Sequence, residues 1–205
     1  MKRPFHSYLA WTTKKIEDPE VRHALLFAVA SVVVGLSLFF PRPHNFAPIG
    51  ALGLFAGAYS RSRHAWLFPI GALAIHTIAV GGYHWLVLGS VFLGFSMSGF
   101  IGQRWLRHRV RPLRIGVAAF CTSIWFFLIS NLGSWITFGI PQGQTLLQHY
   151  AMGIPFFWNT LSGDLFFSTL LFGGFAVAEQ RFYGVPGRAG RQAQAGARPG
   201  PVFTF

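Results

Sequence analysis

Acidic residues are nearly missing from this chain, which has five Asp and Glu against 17 Lys and Arg in 205 residues. Asp164 is the only carboxylate between Glu20 and Glu179. That scarcity excludes a pair of intramembrane carboxylates working as general acid and base. There is one cysteine, Cys121, set in an apolar run, so neither a disulfide framework nor a thiolate metal site is available. GxSxG, Ser-Lys and P-loop patterns are all absent, so the chain is not expected to be an enzyme or to hydrolyse ATP itself. His76, His84 and His149 lack the HxxxH spacing of a zinc site on one helix, and no metal or cofactor is expected. Charged residues of both signs make up only 11% of the chain, where a soluble domain carries about 25%.

What is there is apolar: 52% hydrophobic residues, with 23 Phe and 24 Gly. This composition marks an all-α polytopic membrane protein with a single membrane domain. The segment 1–23 is polar and basic, without the apolar core and small-residue cleavage site of a removable signal peptide. A membrane domain is expected over 24–180, followed by a disordered basic tail over 181–205, which has no apolar pattern. Six spans are read within the domain, at about 24–40, 47–60, 65–80, 85–102, 115–136 and 153–178. The Pro41–Pro43 segment ends the first, since proline halts a helix and restricts the residue before it. The second is short and carries the pair Gly53/Gly57. The fourth repeats Ser90, Gly94, Ser98 and Gly102 at every fourth position. Both patterns permit close helix approach.

Six spans place both termini on one side. Lys and Arg fall in the N-terminal segment, in the loops around 61–64 and 103–114, and in the tail, and only Arg42 falls on the opposite side. The positive-inside rule therefore puts both termini in the cytoplasm. The net charge of +12 is then a topology and lipid signal, with no nucleic-acid partner implied.

Polar residues gather toward the outer side. Asp164 lies within a long apolar run, and a carboxylate at membrane depth costs at least about 2.5–3.5 kcal/mol, so it should face a protein interior. At about 100° per residue, Asn159, Thr160, Gly163 and Asp164 share one helix face. Arg42 and Asn45 occupy the first outer loop, and Asn131 and Trp135 the outer part of the fifth span. These residues (Arg42, Asn45, Asn131, Trp135, Asn159 and Asp164) are the candidate contacts of an outward-facing pocket, with Phe46, Phe156 and Trp158 as further aromatic walls. His76 reads as a hydrogen-bonded packing residue. The competing reading of Asn159, Thr160 and Asp164 is interhelical hydrogen bonding.

The strings RPHNFAPIGALGLFAG (42–57), SNLGSW (130–135) and IPFFWNTLSGDLFF (154–167) resemble signature segments of a widespread bacterial family of uncharacterised six-helix membrane proteins. That family in turn is similar to the substrate-binding S components of energy-coupling factor (ECF) vitamin transporters. The resemblance implies a six-helix bundle that captures a small vitamin-like or precursor molecule on its outer side. The loops holding Arg42 to Asn45, Gly81 to His84 and Thr137 to His149 would cap it. It also implies delivery through a transmembrane scaffold subunit with ATPases, with Ala24 and Ala28 resembling the small-xxx-small contact to that scaffold. The alternative is a structural or assembly subunit of a larger membrane complex with no small-molecule ligand.

Overall fold

The computed structural model describes residues 28–183, apart from 30, 33–34, 61–63, 65 and 82–83. The expected first span falls partly outside these residues, as does Ala24. Within it, residues 28–29, 31–32 and 35–36 are helical and lead into a 3-10 turn, Ser37–Phe39. Five helices follow, and the described residues are all-α. They are α1 Ile49–Tyr59, α2 Leu67–Val80, α3 Trp85–Ile101, α4 Pro112–Ser134 and α5, which starts at Leu146. A π-helical turn extends α3 through Leu106, and another extends α4 through Gly139. A third, Thr169–Gly173, lies inside α5, which runs on to Tyr183.

Three of these rods, Trp85–Leu106, Pro112–Gly139 and Leu146–Gln180, are long and apolar enough to cross a membrane, at 22, 28 and 35 residues. Their outer faces carry exposed Leu93, Phe100, Phe120, Leu128, Phe166 and Leu170. Such a belt would be an aggregation liability in water, whereas acyl chains accept it. The chain is a membrane protein.

At the centre stands α1. All 11 of its residues are buried, so it needs no polar face, and its Gly- and Ala-rich sequence lets its neighbours come close. A Cβ on Gly53 would overlap the Ser98 hydroxyl, and one on Gly57 would overlap the Gly99 carbonyl. Gly102 sits equally tightly, with the Leu54 carbonyl carbon 2.9 Å from where its Cβ would be. The every-fourth-residue seam on α3 therefore serves two partners. Ser98 and Gly102 face α1, while Gly94 meets Phe126 and Ser90 meets Gly133 on α4. Toward the C-terminal end of α1, its Phe55 and Tyr59 form a ring cluster with Phe172 and Phe175 of α5, Phe55 and Phe172 standing edge to face at 5.3 Å. Leu106 and Val110 close that end.

The boundaries of two helices depart from the sequence reading. Pro112 takes the first position of α4, where its missing N–H has no carbonyl partner to lose. Helix α5 begins at Leu146, well before the expected 153, because Thr145 and Gln148 form a reciprocal capping box. The uncharged loop expected over 137–149 shrinks accordingly, and Pro155 lies inside the helix instead of in its first turn.

Candidate functional site

The segment 40–48 determines the site. Pro41 and Pro43 cannot continue a helix, and the chain leaves the Ser37–Phe39 turn in extended form. Arg42 Nη1 donates to the carbonyls of Ser37 and Phe40, both at 3.2 Å, which ties the guanidinium back over that turn. Asn45 holds a positive φ of 64°, the left-handed conformation that Asn tolerates better than most residues. The Phe46 N–H then closes onto the Pro43 carbonyl at 3.1 Å, and α1 starts at Ile49.

This segment lies along α5. Asn159 Nδ2 donates to the His44 carbonyl at 3.0 Å. At Gly163 the backbone of α5 comes so close that an added Cβ would meet the Ala47 nitrogen at 3.0 Å and Phe46 Cα at 3.2 Å. Asp164 reaches the first turn of α1. Between Asn159 and Asp164, α5 advances about 7.5 Å at ~1.5 Å per residue. The 11 residues of α1 span only about 16 Å of a hydrocarbon layer about 30 Å thick. The irregular backbone of 40–48 precedes α1, an arrangement a membrane protein tolerates where such backbone is packed in protein or lines a cavity.

Asp164 is 1% exposed. Ser123 Oγ on α4 donates to its Oδ2 at 2.8 Å, and its Oδ1 meets no donor in hydrogen-bonding geometry. The carboxylate carbon lies 2.8 Å from where a Gly50 Cβ would stand, and the Ala51 N–H faces it. An α-helix leaves its first N–H groups without carbonyl partners. In α1 the cap is Pro48, which supplies no side-chain acceptor. A carboxylate from another helix thus sits at the positive end of the α1 dipole, and Gly50 is the residue that leaves room for it.

A cavity of about 400 Å³ lies above this junction. Its lip is the 40–45 segment. Its walls are Leu73, His76 and Thr77 of α2, Leu88, Val91 and Phe95 of α3 and Phe126 of α4, with Ile49 of α1. The Phe95 and Phe126 rings stack at 4.2 Å and 27°. The Phe39 ring stands 6.1 Å from His76, and the Thr77 hydroxyl is buried without a hydrogen-bond partner. None of the described residues lining the cavity is acidic.

The six candidate contacts are therefore divided. Arg42 and Asn45 line the cavity. Asn159 stands behind the lip and holds it through His44, and Asp164 lies beneath, at α1. Asn131 is turned away: its Nδ2 bonds to Phe127 O of its own helix at 2.8 Å, and its amide packs against Gly153. Trp135 Nε1 donates to Gln144 O at 3.0 Å in a separate cluster that also holds His149, 2.9 Å from Gln144 Oε1. Phe46 packs on Phe166 and Phe167, while Phe156 and Trp158 are exposed on the outside of α5. His76 and Thr77 escaped the sequence reading as wall residues. The only signal in the sequence was an imidazole inside an otherwise apolar helix. Among the described residues no three His, Cys, Asp or Glu side chains converge as metal ligands.

The three strings singled out above run through these parts: the lip with α1, the α4 face toward α5, and the α5 stretch carrying Asn159 and Asp164. A family model described as a family of unknown function (DUF6580) matches residues 18–191, which contain all of them. No curated protein matches the chain significantly, and no solved structure does. By a match that takes in the lip, the half-length helix and the carboxylate beneath it, the chain belongs to the DUF6580 family.

Proposed function

We propose that this protein captures a small molecule in the cavity under the 40–45 segment, as the substrate-binding subunit of a membrane uptake system. The observation that carries the reading is the cavity itself. At about 400 Å³ it falls in the ~300–1,000 Å³ range of ligand sites, with apolar walls and a few placed polar groups. A half-length helix whose N-terminal end abuts irregular backbone and a cavity is also an arrangement found at transporter binding sites.

The fuller reading is a bundle of six helices, the first comprising about 24–40, in a bacterial inner membrane with both termini cytoplasmic. The cavity then lies on the outer side, away from Arg104, Arg107, Arg109, Arg111 and Arg114. By likeness to ECF S components, a transmembrane scaffold subunit with ATPases would complete transport. Reporter fusions after Arg107 and near Gln144 test the orientation, with cytoplasm expected at the first and the outside at the second. Ligand binding is tested on purified protein by native mass spectrometry for a retained small molecule and by thermal unfolding with candidate nutrients. A ligand at 100 times its Kd adds about 2.7 kcal/mol of stability. Absence of any retained or stabilising molecule would overturn the capture reading.

One observation favours the rival, a structural or assembly subunit. Asn131, Asn159 and Asp164 all have partners within the protein, as interhelical or local polar contacts do. Co-purification in a stable stoichiometric complex, with no bound small molecule, would favour that reading.

A further inference from the structure

Helices α4 and α5 run antiparallel and are pinned together by the Ser123–Asp164 hydrogen bond. Arg111 and Ala176 each stand 12 residues from that contact, so they lie at about the same level. Along the flank of this pair, toward that level, runs a groove of about 360 Å³. Its α5 wall extends from Leu165 to Ala176, about 16 Å at ~1.5 Å per residue. One leaflet of a hydrocarbon layer has nearly the same depth, half of about 30 Å. Ile115 and Phe172 make the walls apolar, and a Cβ added at Gly116 would meet nothing within 4 Å.

The mouth of the groove differs from its walls. Arg111 lines it and is exposed. Three residues on, Arg114 Nη1 reaches the Trp105 carbonyl at 3.5 Å. Trp105 is itself exposed, and tryptophan favours the headgroup level of a membrane. Among the described residues no side chain caps α4, and its first turn holds no acidic residue. The helix dipole therefore adds positive potential at the same point.

We propose that this groove holds one anionic phospholipid, an acyl chain lying between α4 and α5 and the phosphate beside Arg111. Apolar walls of leaflet depth under a basic rim fit that amphiphile from end to end, and basic pockets between membrane helices bind anionic headgroups. The segment 184–205 follows α5 in the chain, but its Arg188, Arg191 and Arg198 would bring like charge to the rim. The site is separate from the cavity under the 40–45 segment and stands whether or not that cavity takes a ligand.

The test uses full-length protein purified in a mild detergent. Native mass spectrometry is expected to show one phosphatidylglycerol retained per chain. In thermal unfolding, added phosphatidylglycerol should stabilise the protein more than phosphatidylcholine of the same chain length. Arg111→Gln should weaken phosphatidylglycerol binding about fivefold, as ~1 kcal/mol per basic residue near the surface implies. Gly116→Leu fills the groove and should abolish retention. The open space at that position and the better helix propensity of leucine leave the fold intact. Arg111 is exposed, so its replacement and the wild-type lipid comparison decide the matter even if Gly116→Leu does not fold. Equal retention by Gly116→Leu would mean lipid coating the outer belt, and the groove would not be the site. Equal stabilisation by the two lipids would overturn selection of an anionic headgroup. An occupant with a polar group deep in the groove would use Ser168, whose hydroxyl is buried and meets no partner among the described residues. Loss of binding in Ser168→Ala would point to that occupant and against a phospholipid. Failure of either lipid to be retained or to stabilise the wild-type protein would overturn the proposal outright.

Discussion

Gly50→Ala should reverse its effect on stability according to what stands at position 164. In the wild-type chain the new methyl would overlap the Asp164 carboxylate, whose Cγ lies 2.8 Å from the ideal Cβ position. Asp164 is buried between α1, α4 and α5 and has a short side chain, so it can clear the methyl only by turning away from Ser123. A hydrogen bond to a charged group contributes about 1.5–3 kcal/mol. Alanine in place of glycine returns about 0.5–1 kcal/mol through a less flexible backbone. The net expectation is a loss of about 1–2 kcal/mol. In an Asp164→Ala background the space is vacant, and only the backbone gain remains, so the same substitution should stabilise by about 0.5–1 kcal/mol. The assay is a double-mutant cycle from reversible unfolding in mixed SDS and dodecyl maltoside micelles. The four proteins should show a coupling of about 1.5–3 kcal/mol. If the two substitutions add to within about 0.3–0.5 kcal/mol, the carboxylate does not occupy the first turn of α1, and the account of that junction is wrong.

Three further outcomes are expected. Gly102→Ala should cost about 1–3 kcal/mol in the same unfolding assay, because its methyl meets the Leu54 backbone and not a side chain that can rotate. Asn159→Leu should abolish ligand-dependent stabilisation by releasing the His44 carbonyl and the cavity lip. Asn131→Leu should leave that stabilisation intact, since Asn131 bonds within its own helix; equal effects of the two on ligand binding would contradict the geometry. Asn45→Gly should be nearly neutral and Asn45→Val destabilising by about 1–2 kcal/mol, as a φ of 64° disfavours a β-branched side chain. Thermal unfolding of the two variants side by side checks this.

Much of this protein is written in its composition and in the spacing of its small residues. Apolar runs broken by Pro, Gly and Arg were enough to find the five described helices, because membrane helices must satisfy their own backbone and present apolar side chains to lipid. Gly53, Gly57, Ser98 and Gly102 could be read as close-packing positions for a similarly local reason: only small residues allow backbones to approach. The burial of Asp164 was legible too, since a lone carboxylate in an apolar run has few places to go. The start of α5 was misread although its signal, the Thr145 and Gln148 pair, is local; the apolar stretch beginning at 153 outweighed it.

Partnership was a different matter. Helical periodicity places Asn159, Thr160 and Asp164 on one face but does not say what that face meets. Only the packing of α1 and its proline-rich approach against α5 makes His44 the partner of Asn159 and the first turn of α1 the neighbour of Asp164. The same holds for Asn131, whose amide could be spent on its own helix or across a cavity with no difference in sequence. His76 and Thr77 became wall residues because α2 borders the same cavity as the 40–45 segment. Sequence determines which groups a helix carries and on which side. Which of them share a space depends on how helices cross, and that is a property of the assembled bundle.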